Sequence, residues 1–268
     1  MRWRDGQLLA AAEASDRGLE FGDGLFETVA VVGGRPRLLE AHLARLAGGC
    51  ARLAIPVPAA ATLRAEILAA AAVPGTGIVK LIVTRGAGGT GYAPAAGAPP
   101  RRYLEALPPR PRPAEWAEAG VAIRLCATRL AEQSLLAGLK HLNRLEQVLA
   151  RGEWSDPAIA EGLMLDVHGR LVCGTMSNVF IASDPEILTP ALERAGVAGV
   201  MRGALIAAFR AAGMRVTVRD IDPAELETAR EVFLTNALIG AWPVRSLGER
   251  HWPAGPCARR AQAWVARW

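Results

Sequence analysis

A proline-rich stretch near the middle of the sequence constrains the fold more than any other feature. Four prolines occur within six residues, in the order Pro108-Pro109-Arg110-Pro111-Arg112-Pro113. Proline has no backbone N–H and fixes φ, so such a segment cannot form the interior of a helix or a central strand, and a stiff extended connection is expected. The sequence therefore predicts two domains, residues 1–108 and residues 114–268, joined by a linker at residues 109–113.

Both halves mix strand-like and helix-like patterns. The predicted strands include residues 29–32, 78–84, 121–127, 162–166, 171–173, 179–182, 187–189, 214–220 and 231–234. The predicted helices are residues 38–53, 61–72, 200–212, 223–229 and 256–268, and a further helix follows Lys140. Short β-rich runs interspersed with amphipathic helices predict an α+β protein. At 268 residues the chain is long enough to bury substantial cores.

Charge and cysteine content exclude several classes of protein. The net charge is +5, but the basic residues are scattered and no basic run is interleaved with aromatic residues, so nucleic-acid binding is not indicated. The charge suits anionic small molecules instead. The 4 cysteines form no CxxC pair and have no histidine at ligand spacing, so we expect neither a metal site nor a disulfide scaffold. No apolar stretch approaches the roughly 20 residues of a membrane span, and we expect a cytoplasmic protein.

Lysine is rare in this sequence. Only Lys80 and Lys140 occur among 31 basic residues. Lys140 precedes leucines at positions 142, 145 and 149, whose helical spacing predicts an apolar stripe packed against a core. An amine held beside packed structure can form a Schiff base or act as a base, which a guanidinium cannot do. The alternative is a lysine at a helix start that extends its amine into solvent.

The segment around Lys140 resembles a known family. Residues 139–149, with the sequence Leu-Lys-His-Leu-Asn-Arg-Leu-Glu-Gln-Val-Leu, are similar to the lysine segment of the aminodeoxychorismate lyases, which are fold-type IV pyridoxal 5′-phosphate (PLP) enzymes. Further matching segments follow the family's order, at residues 21–28, 85–92, 174–180, 196–202 and 235–238. The resemblance implies a smaller N-terminal α/β domain and a larger C-terminal β-barrel-like domain with flanking helices.

The resemblance also implies which residues would bind PLP. Lys140 would hold the cofactor as a Schiff base, and Arg45 in the predicted helix 38–53 would grip its phosphate, for which a guanidinium fork is suited. The start of the predicted helix at Val200 presents free backbone N–H groups, which also bind phosphate. The other implied cofactor contacts are Cys173, Ser177, Gly199, Met201, Asn236 and Ala237.

Three residues are implied as substrate contacts. Arg85 and Tyr92, at the ends of a glycine-rich loop, would place a cation and a phenol near an anionic substrate, and Asn143 follows the lysine. Thr90 stands in this loop where many lyases of the family have an arginine. The family further implies a homodimer, in which a segment of the small domain of one subunit reaches the other subunit's site.

One position departs from the family pattern. Most relatives have a glutamate before the Gly-Thr-x-Ser-Asn motif, where it pairs with the protonated pyridine nitrogen of PLP, and here that position is Cys173. A thiol with an ordinary pKa of ~8.5 is mostly neutral at pH 7 and stabilises a pyridinium less than a carboxylate does. Transamination depends strongly on that stabilisation, whereas an elimination that forms an aromatic ring depends on it less. Cys173 therefore favours a lyase.

The implied reaction is the PLP-dependent conversion of 4-amino-4-deoxychorismate to 4-aminobenzoate and pyruvate, in folate biosynthesis. Lys140 would serve as covalent anchor, base and acid. The nearest alternative is a branched-chain or D-amino acid aminotransferase of the same fold, but residues 143–145 look more like the lyase segment. A non-catalytic, small-molecule-binding protein is a third alternative, against which the presence of both Lys140 and Arg45 argues.

Overall fold

The computed structural model of the protein describes residues 2–4, 6–8, 16–183 and 185–268. The chain forms two compact units: Met1–Pro111 with Leu139–Asn143, and Arg112–Gly138 with Arg144–Trp268. The crossing between Pro111 and Arg112 falls in the proline-rich stretch, where four backbone N–H groups are missing and regular structure cannot continue.

The first unit is built on an antiparallel sheet flanked by helices. Its strands are β1 (Arg2–Arg4), β2 (Gln7–Leu8), β3 (Gly24–Val32), β4 (Arg35–Pro36), β5 (Ile78–Thr84), β6 (Gly89–Thr90), β7 (Ala93–Pro94) and β8 (Arg101–Leu107). Its helices are α1 (Arg17–Phe21), α2 (Leu39–Arg52) and α3 (Ala60–Ala71). Within the described ranges the main sheet has the order β2-β1-β8-β5-β3-β4, and β6 and β7 form a separate small hairpin.

The core of the first unit lies between its sheet and its two longer helices. Leu43, Leu46 and Cys50 recur at helical spacing on α2 and are buried, and they share a core with Val79 and Leu81 of β5. Each fully buried aliphatic side chain contributes roughly 1.5 to 3 kcal/mol to folding. The predicted strand at residues 78–84 and the predicted helix at residues 38–53 are confirmed as β5 and α2.

A five-residue segment from beyond the linker also belongs to the first unit. All of residues 114–268 were predicted to belong to the second domain, but the structure groups Leu139–Asn143 with the first unit. The reason is strand-like pairing, because Phe26 N donates to Lys140 O at 3.0 Å and Leu142 N donates to Gly24 O at 3.0 Å. Leu139 is buried in the first unit's core.

The second unit is built on a mixed sheet. Its strands are β9 (Val121–Leu125), β10 (Ile159–Leu165), β11 (Leu171–Gly174), β12 (Asn178–Ser183), β13 (Glu186–Pro190), β14 (Arg215–Arg219), β15 (Glu231–Asn236), β16 (Gly240–Leu247) and β17 (Arg250–His251). Its helices are α4 (Glu115–Glu118), α5 (Leu145–Arg151), α6 (Val200–Ala211), α7 (Glu225–Thr228) and α8 (Pro256–Val265).

This sheet curls toward closure. Its order in the described chain is β11-β10-β9-β16-β15-β12-β13-β14, with β17 paired to β16. Leu171, in the strand at one edge, donates its N–H to Ile221 O at 2.9 Å, and Ile221 follows the strand at the other edge. The predicted β-barrel-like domain with flanking helices is confirmed. Helices α6 and α8 cover one face through Phe209 and Trp264, whose ring centroids lie 5.0 Å apart.

The apolar stripe after Lys140 was predicted wrongly. Helix α5 begins at Leu145, so Leu142 lies outside it. Leu145 and Leu149 are 75% and 65% exposed, and Ala150 is the residue that α5 buries within the chain. Helical spacing correctly indicates one apolar face, but the pattern does not say whether that face packs against the same chain.

Candidate active site

Backbone pairing holds Lys140 in the first unit. Residues 139–143 run beside the start of β3, with a bridge between His141 and Leu25. Lys140 is half-buried, and its Nζ lies 4.2 Å from the centroid of the Phe26 ring. A cation over an aromatic face is attracted to the ring. The amine is therefore positioned by strand pairing and one aromatic contact, and Lys140 does not form part of a helix.

Close backbone approach explains the glycines of the segment at residues 21–28. Gly22 has a φ of 66°, and a Cβ there would lie 2.4 Å from Asn143 Oδ1. A Cβ on Gly24 would lie 2.5 Å from Val83 O. Both positions therefore require glycine. The Nδ2 group of Asn143 donates to Gly22 O at 3.1 Å, so the predicted substrate contact acts in this structure as a clamp on the lysine segment.

A buried carboxylate orients Arg45. Arg45 Nε donates to Glu27 Oε1 at 2.8 Å and Arg45 Nη2 donates to Glu27 Oε2 at 2.5 Å, while His42 Nδ1 lies 2.6 Å from Oε2. Burial raises the pKa of Glu27, but the hydrogen bonds from His42 and Arg45 outweigh it, and the pKa falls below its ordinary value. The bidentate pair fixes the plane of the guanidinium. No sequence pattern singled out Glu27 or His42.

Arg85, predicted as a substrate contact, bonds to groups of the first unit. Its Nε donates to Asp23 Oδ2, and its Nη1 and Nη2 donate to the carbonyls of Ala54 and Leu53, each at 2.7 Å. These carbonyls lie at the C-terminal end of α2, where a cation is favoured by the helix dipole. All three guanidinium nitrogens are engaged by the protein, so Arg85 stabilises the first unit.

A buried arginine, Arg17, holds the loop that contains Tyr92. Tyr92 is 86% exposed, and its ring meets the Phe21 ring edge-on at 5.4 Å. Arg17 Nη1 and Nη2 donate to the carbonyls of Gly91 and Tyr92 at 2.9 and 3.0 Å. The structure thus places Tyr92 at an exposed loop tip tied down by Arg17, a residue that the sequence analysis missed.

In the second unit, the Gly-Thr-Met-Ser loop surrounds the buried carboxylate of Glu161. Ser177 Oγ donates to Glu161 Oε2 at 2.8 Å, and Thr175 Oγ1 donates to Oε1 at 2.5 Å. The hydroxyl predicted to contact the cofactor is therefore bound to Glu161. An acidic residue within the apolar strand at residues 159–165 was a usable sequence signal, because such residues are rarely buried without partners.

The start of α6 forms a cradle that only glycine can line. No side chain among the described residues caps this helix end, which begins after Gly199. A Cβ on Gly199 would lie 2.1 Å from Asn178 Oδ1, and Asn178 Nδ2 donates to Val197 O at 2.9 Å. The side chains of Val200 and Met201 are buried, so these residues could reach an anion only through backbone N–H groups. This arrangement fits a phosphate.

The turn after β15 completes this group of loops. Asn236 Nδ2 donates to Met176 O at 3.0 Å, and Asn236 Oδ1 accepts the N–H groups of Leu238 and Ile239 at 2.8 and 3.0 Å. Ala237 is half-buried within this turn. Three of the segments that resemble the family, residues 174–180, 196–202 and 235–238, are thus linked within one unit.

Cys173 precedes this loop and is buried. Burial, with a second contribution from the Glu161 carboxylate, raises the pKa of Cys173 to about 12, against a smaller opposing effect of Arg144. The thiol is therefore neutral near pH 7. Two residues before Lys140, Gly138 N donates to Gly196 O and Gly138 O accepts from Ala198 N, each at 3.0 Å. Gly196 and Ala198 belong to the turn that precedes α6.

The first unit holds a lysine by strand-like pairing, and the barrel-like second unit has a helix start lined by glycine. Together these features define the fold class of the fold-type IV enzymes. The chain belongs to the amino-transferase class IV family, whose sequence profile matches residues 24–247. The expected resemblance to the aminodeoxychorismate lyases, and the expectation of an enzyme, are confirmed by the comparisons that follow.

Relatives with lyase names match the chain over nearly its full length. An aminodeoxychorismate lyase of Vibrio harveyi is 33% identical over 98% of both chains. The crystal structure of 4-amino-4-deoxychorismate lyase from Pseudomonas aeruginosa is 54% identical, with a TM-score of 0.96 over 100% of this chain and 98% of that chain. A hypothetical aminotransferase from Mycobacterium tuberculosis in a PLP-bound form is 26% identical, with a TM-score of 0.83 over 96% and 93%.

Proposed function

We propose that the protein is a PLP-dependent lyase that converts 4-amino-4-deoxychorismate to 4-aminobenzoate and pyruvate, a step of folate biosynthesis. The observation that carries the proposal is the setting of Lys140. This amine lies on a segment paired by backbone hydrogen bonds to β3 and beside the Phe26 ring. The segment's sequence resembles that of the lyases, and the 54% identity with the Pseudomonas aeruginosa lyase extends over the whole chain.

The residues of each unit fit a phosphorylated cofactor. In the first unit, Lys140 would hold the cofactor covalently, and Arg45, oriented by Glu27, would bind phosphate. In the second unit, the backbone at Gly199, Val200 and Met201 would bind phosphate through N–H groups, because side-chain caps are missing there in the described chain. When bound, PLP supplies an electron sink next to the substrate's amino group.

The chain's own residues would move the protons. The Nζ amine of Lys140 is the base that takes the ring proton of the substrate, and it returns a proton as the enolpyruvyl group leaves as pyruvate. The products balance, because loss of pyruvate leaves the aromatic ring of 4-aminobenzoate. If Cys173 faces the pyridine nitrogen of PLP, its neutral thiol would stabilise a pyridinium less than a carboxylate would, which would disfavour transamination more than this elimination.

An exposed apolar surface supports the proposal that the protein is a homodimer. Leu145, Val148 and Leu149 of α5 are largely exposed, as is Leu135 in the segment before Lys140. Large exposed apolar side chains of this kind usually mark an interface. Sedimentation at micromolar concentration should give a dimer, and Leu145→Glu should shift the distribution to monomer. A wild-type monomer with full activity would contradict the proposed dimer.

The decisive test offers 4-amino-4-deoxychorismate to the purified protein with PLP and measures 4-aminobenzoate and pyruvate. Wild type should form both in equal amounts, and Lys140→Ala should form neither. Transfer of an amino group from D-alanine or a branched-chain amino acid, without 4-aminobenzoate, would favour the aminotransferase alternative. Within the residues that the structure describes, no helix is long and apolar enough to cross a membrane. The cytoplasmic location stays a prediction.

A further inference from the structure

Glu161 is a buried carboxylate satisfied by neutral donors. The residue is 1% exposed on β10, and no ion pair with a lysine or arginine is formed by Glu161 within the described chain. Its two oxygens accept five hydrogen bonds, from Gly162 N, Thr175 N, Thr175 Oγ1, Met176 N and Ser177 Oγ. A carboxylate is an acceptor for every one of these groups, whereas an amide of the same shape would place an N–H group against other donors.

The loop at residues 174–177 is wrapped around this one side chain. Four of the five donors belong to the consecutive residues 175–177, at 2.5 to 3.1 Å. A Cβ on Gly174 would lie 2.3 Å from Ser177 Oγ and 2.9 Å from the Glu161 carboxyl group. Glu161 therefore dictates the Gly-Thr-x-Ser order. Its carboxylate requires a glycine at position 174, where a Cβ would collide, and hydroxyl donors at positions 175 and 177.

The same loop sets the two turns on either side of it. Met176 O accepts the amide of Asn236, which closes the turn at residues 236–239. The next residue after the loop's last donor is Asn178, which binds Val197 O and lies against Gly199 at the start of α6. Movement of the loop would therefore displace both turns, and with them the backbone N–H groups that can face a phosphate.

We propose that Glu161 is a positioning residue for PLP: its carboxylate fixes the loop at residues 174–177, and the loop, through Asn178 and Asn236, fixes the phosphate-binding turns. The inference rests on the proposed function, because it requires that the protein bind PLP. Glu161 itself does not touch the cofactor in this assignment.

The test uses Glu161→Gln, which conserves volume but replaces one accepting oxygen with an NH₂ group among donors. Apoprotein is titrated with PLP and followed by visible absorbance and by circular dichroism of the bound cofactor. The dissociation constant should rise at least tenfold, and the dichroism of the bound cofactor should change. The matched control is Glu231→Gln, since Glu231 is also buried and accepts Cys257 N and Ala258 N at 2.8 and 3.1 Å at the start of α8.

The control separates positioning from general stability. Glu231→Gln should also lower the melting temperature, yet its PLP dissociation constant should stay within threefold of wild type. If Glu161→Gln does not fold, Thr175→Val is tested instead, because it removes one hydroxyl donor to Glu161 and Thr175 is not among the implied cofactor contacts. A loss of PLP affinity of threefold or more in that variant supports the proposal.

Two further outcomes distinguish a failure of the proposed function from a failure of the proposed role of Glu161. If wild type binds no PLP, the proposed function fails and this inference fails with it. If wild type binds PLP and the folded Glu161 and hydroxyl variants bind it within threefold of wild type, the proposed function stands and Glu161 is a structural residue only. Positioning also predicts coupling: Ser177→Ala should weaken PLP binding in the wild-type background and have no further effect beside Glu161→Gln.

Discussion

Replacement of Glu27 by glutamine should destabilise the first unit through Arg45 and His42. Glu27 is 2% exposed and accepts bonds from both residues at 2.5 to 2.8 Å. Removing one member of a buried ion pair costs about 3 to 5 kcal/mol, because the remaining charge stays buried without its partner. Glutamine keeps one accepting oxygen, so we expect a loss of roughly 2 to 4 kcal/mol at neutral pH.

The effect of this substitution should depend on pH in one direction. The folded protein holds the pKa of Glu27 below its ordinary value of 4.5, so the stabilisation is complete above that pH and is lost as the pH falls through the lower, folded pKa. The difference in free energy of unfolding between wild type and Glu27→Gln should therefore be largest near pH 7 and shrink below about pH 4.

Urea unfolding at several pH values, followed by tryptophan fluorescence, measures this difference. The matched control is Glu40→Gln, since Glu40 accepts the same bidentate pattern from Arg64 at 2.7 and 2.9 Å but on the protein surface. Solvent and salt screen such a pair, so the control should change stability far less. A Glu27→Gln variant as stable as Glu40→Gln at pH 7, or a difference that grows in acid, would refute the reasoning.

Three further predictions concern the cofactor and the loop. Borohydride should trap PLP on the peptide containing Lys140, and trapping on Lys80 would contradict the assigned role. If position 173 faces the pyridine nitrogen, Cys173→Glu should form a charge-assisted bond of roughly 1.5 to 3 kcal/mol there. Slow transamination of alanine and a pH-dependent cofactor spectrum should then be easier to detect. Unchanged spectra and rates would show that position 173 does not face the nitrogen. Arg17→Ala should release the loop tip that carries Tyr92. The KM for 4-amino-4-deoxychorismate should then rise severalfold with a smaller change in kcat. An unaltered KM would exclude a contribution of this loop to substrate binding.

Local patterns were sufficient to predict much of the fold. The strand β5 matches the predicted residues 78–84, because a β-branched run is recognisable without knowing its partners. The helix α2 matches because its buried residues recur at helical spacing. The loop between β11 and β12 was also located, because its Gly-Thr-x-Ser sequence resembles a motif of the family.

Contacts between distant residues could not be predicted in the same way. The family resemblance implied that Arg85 contacts the substrate, and that role stays a prediction. Its acceptors at Asp23, Leu53 and Ala54 are far away in sequence, so no local pattern could indicate them. The apolar face of α5 was expected to be buried within the chain. This face is exposed because no other part of the described chain packs over it, and the spacing of apolar residues within a helix cannot indicate what packs against them.

The segment Leu139–Asn143 determines when the first unit can be completed during synthesis. A ribosome releases the N-terminal part first, and N-terminal domains generally begin to fold during synthesis. Here the first unit lacks the strand-like neighbour of β3 until residue 143 has emerged, well after the linker. Lys140 is therefore added to the first unit last, so no truncated product that ends at the linker can carry the amine on which the proposed chemistry depends.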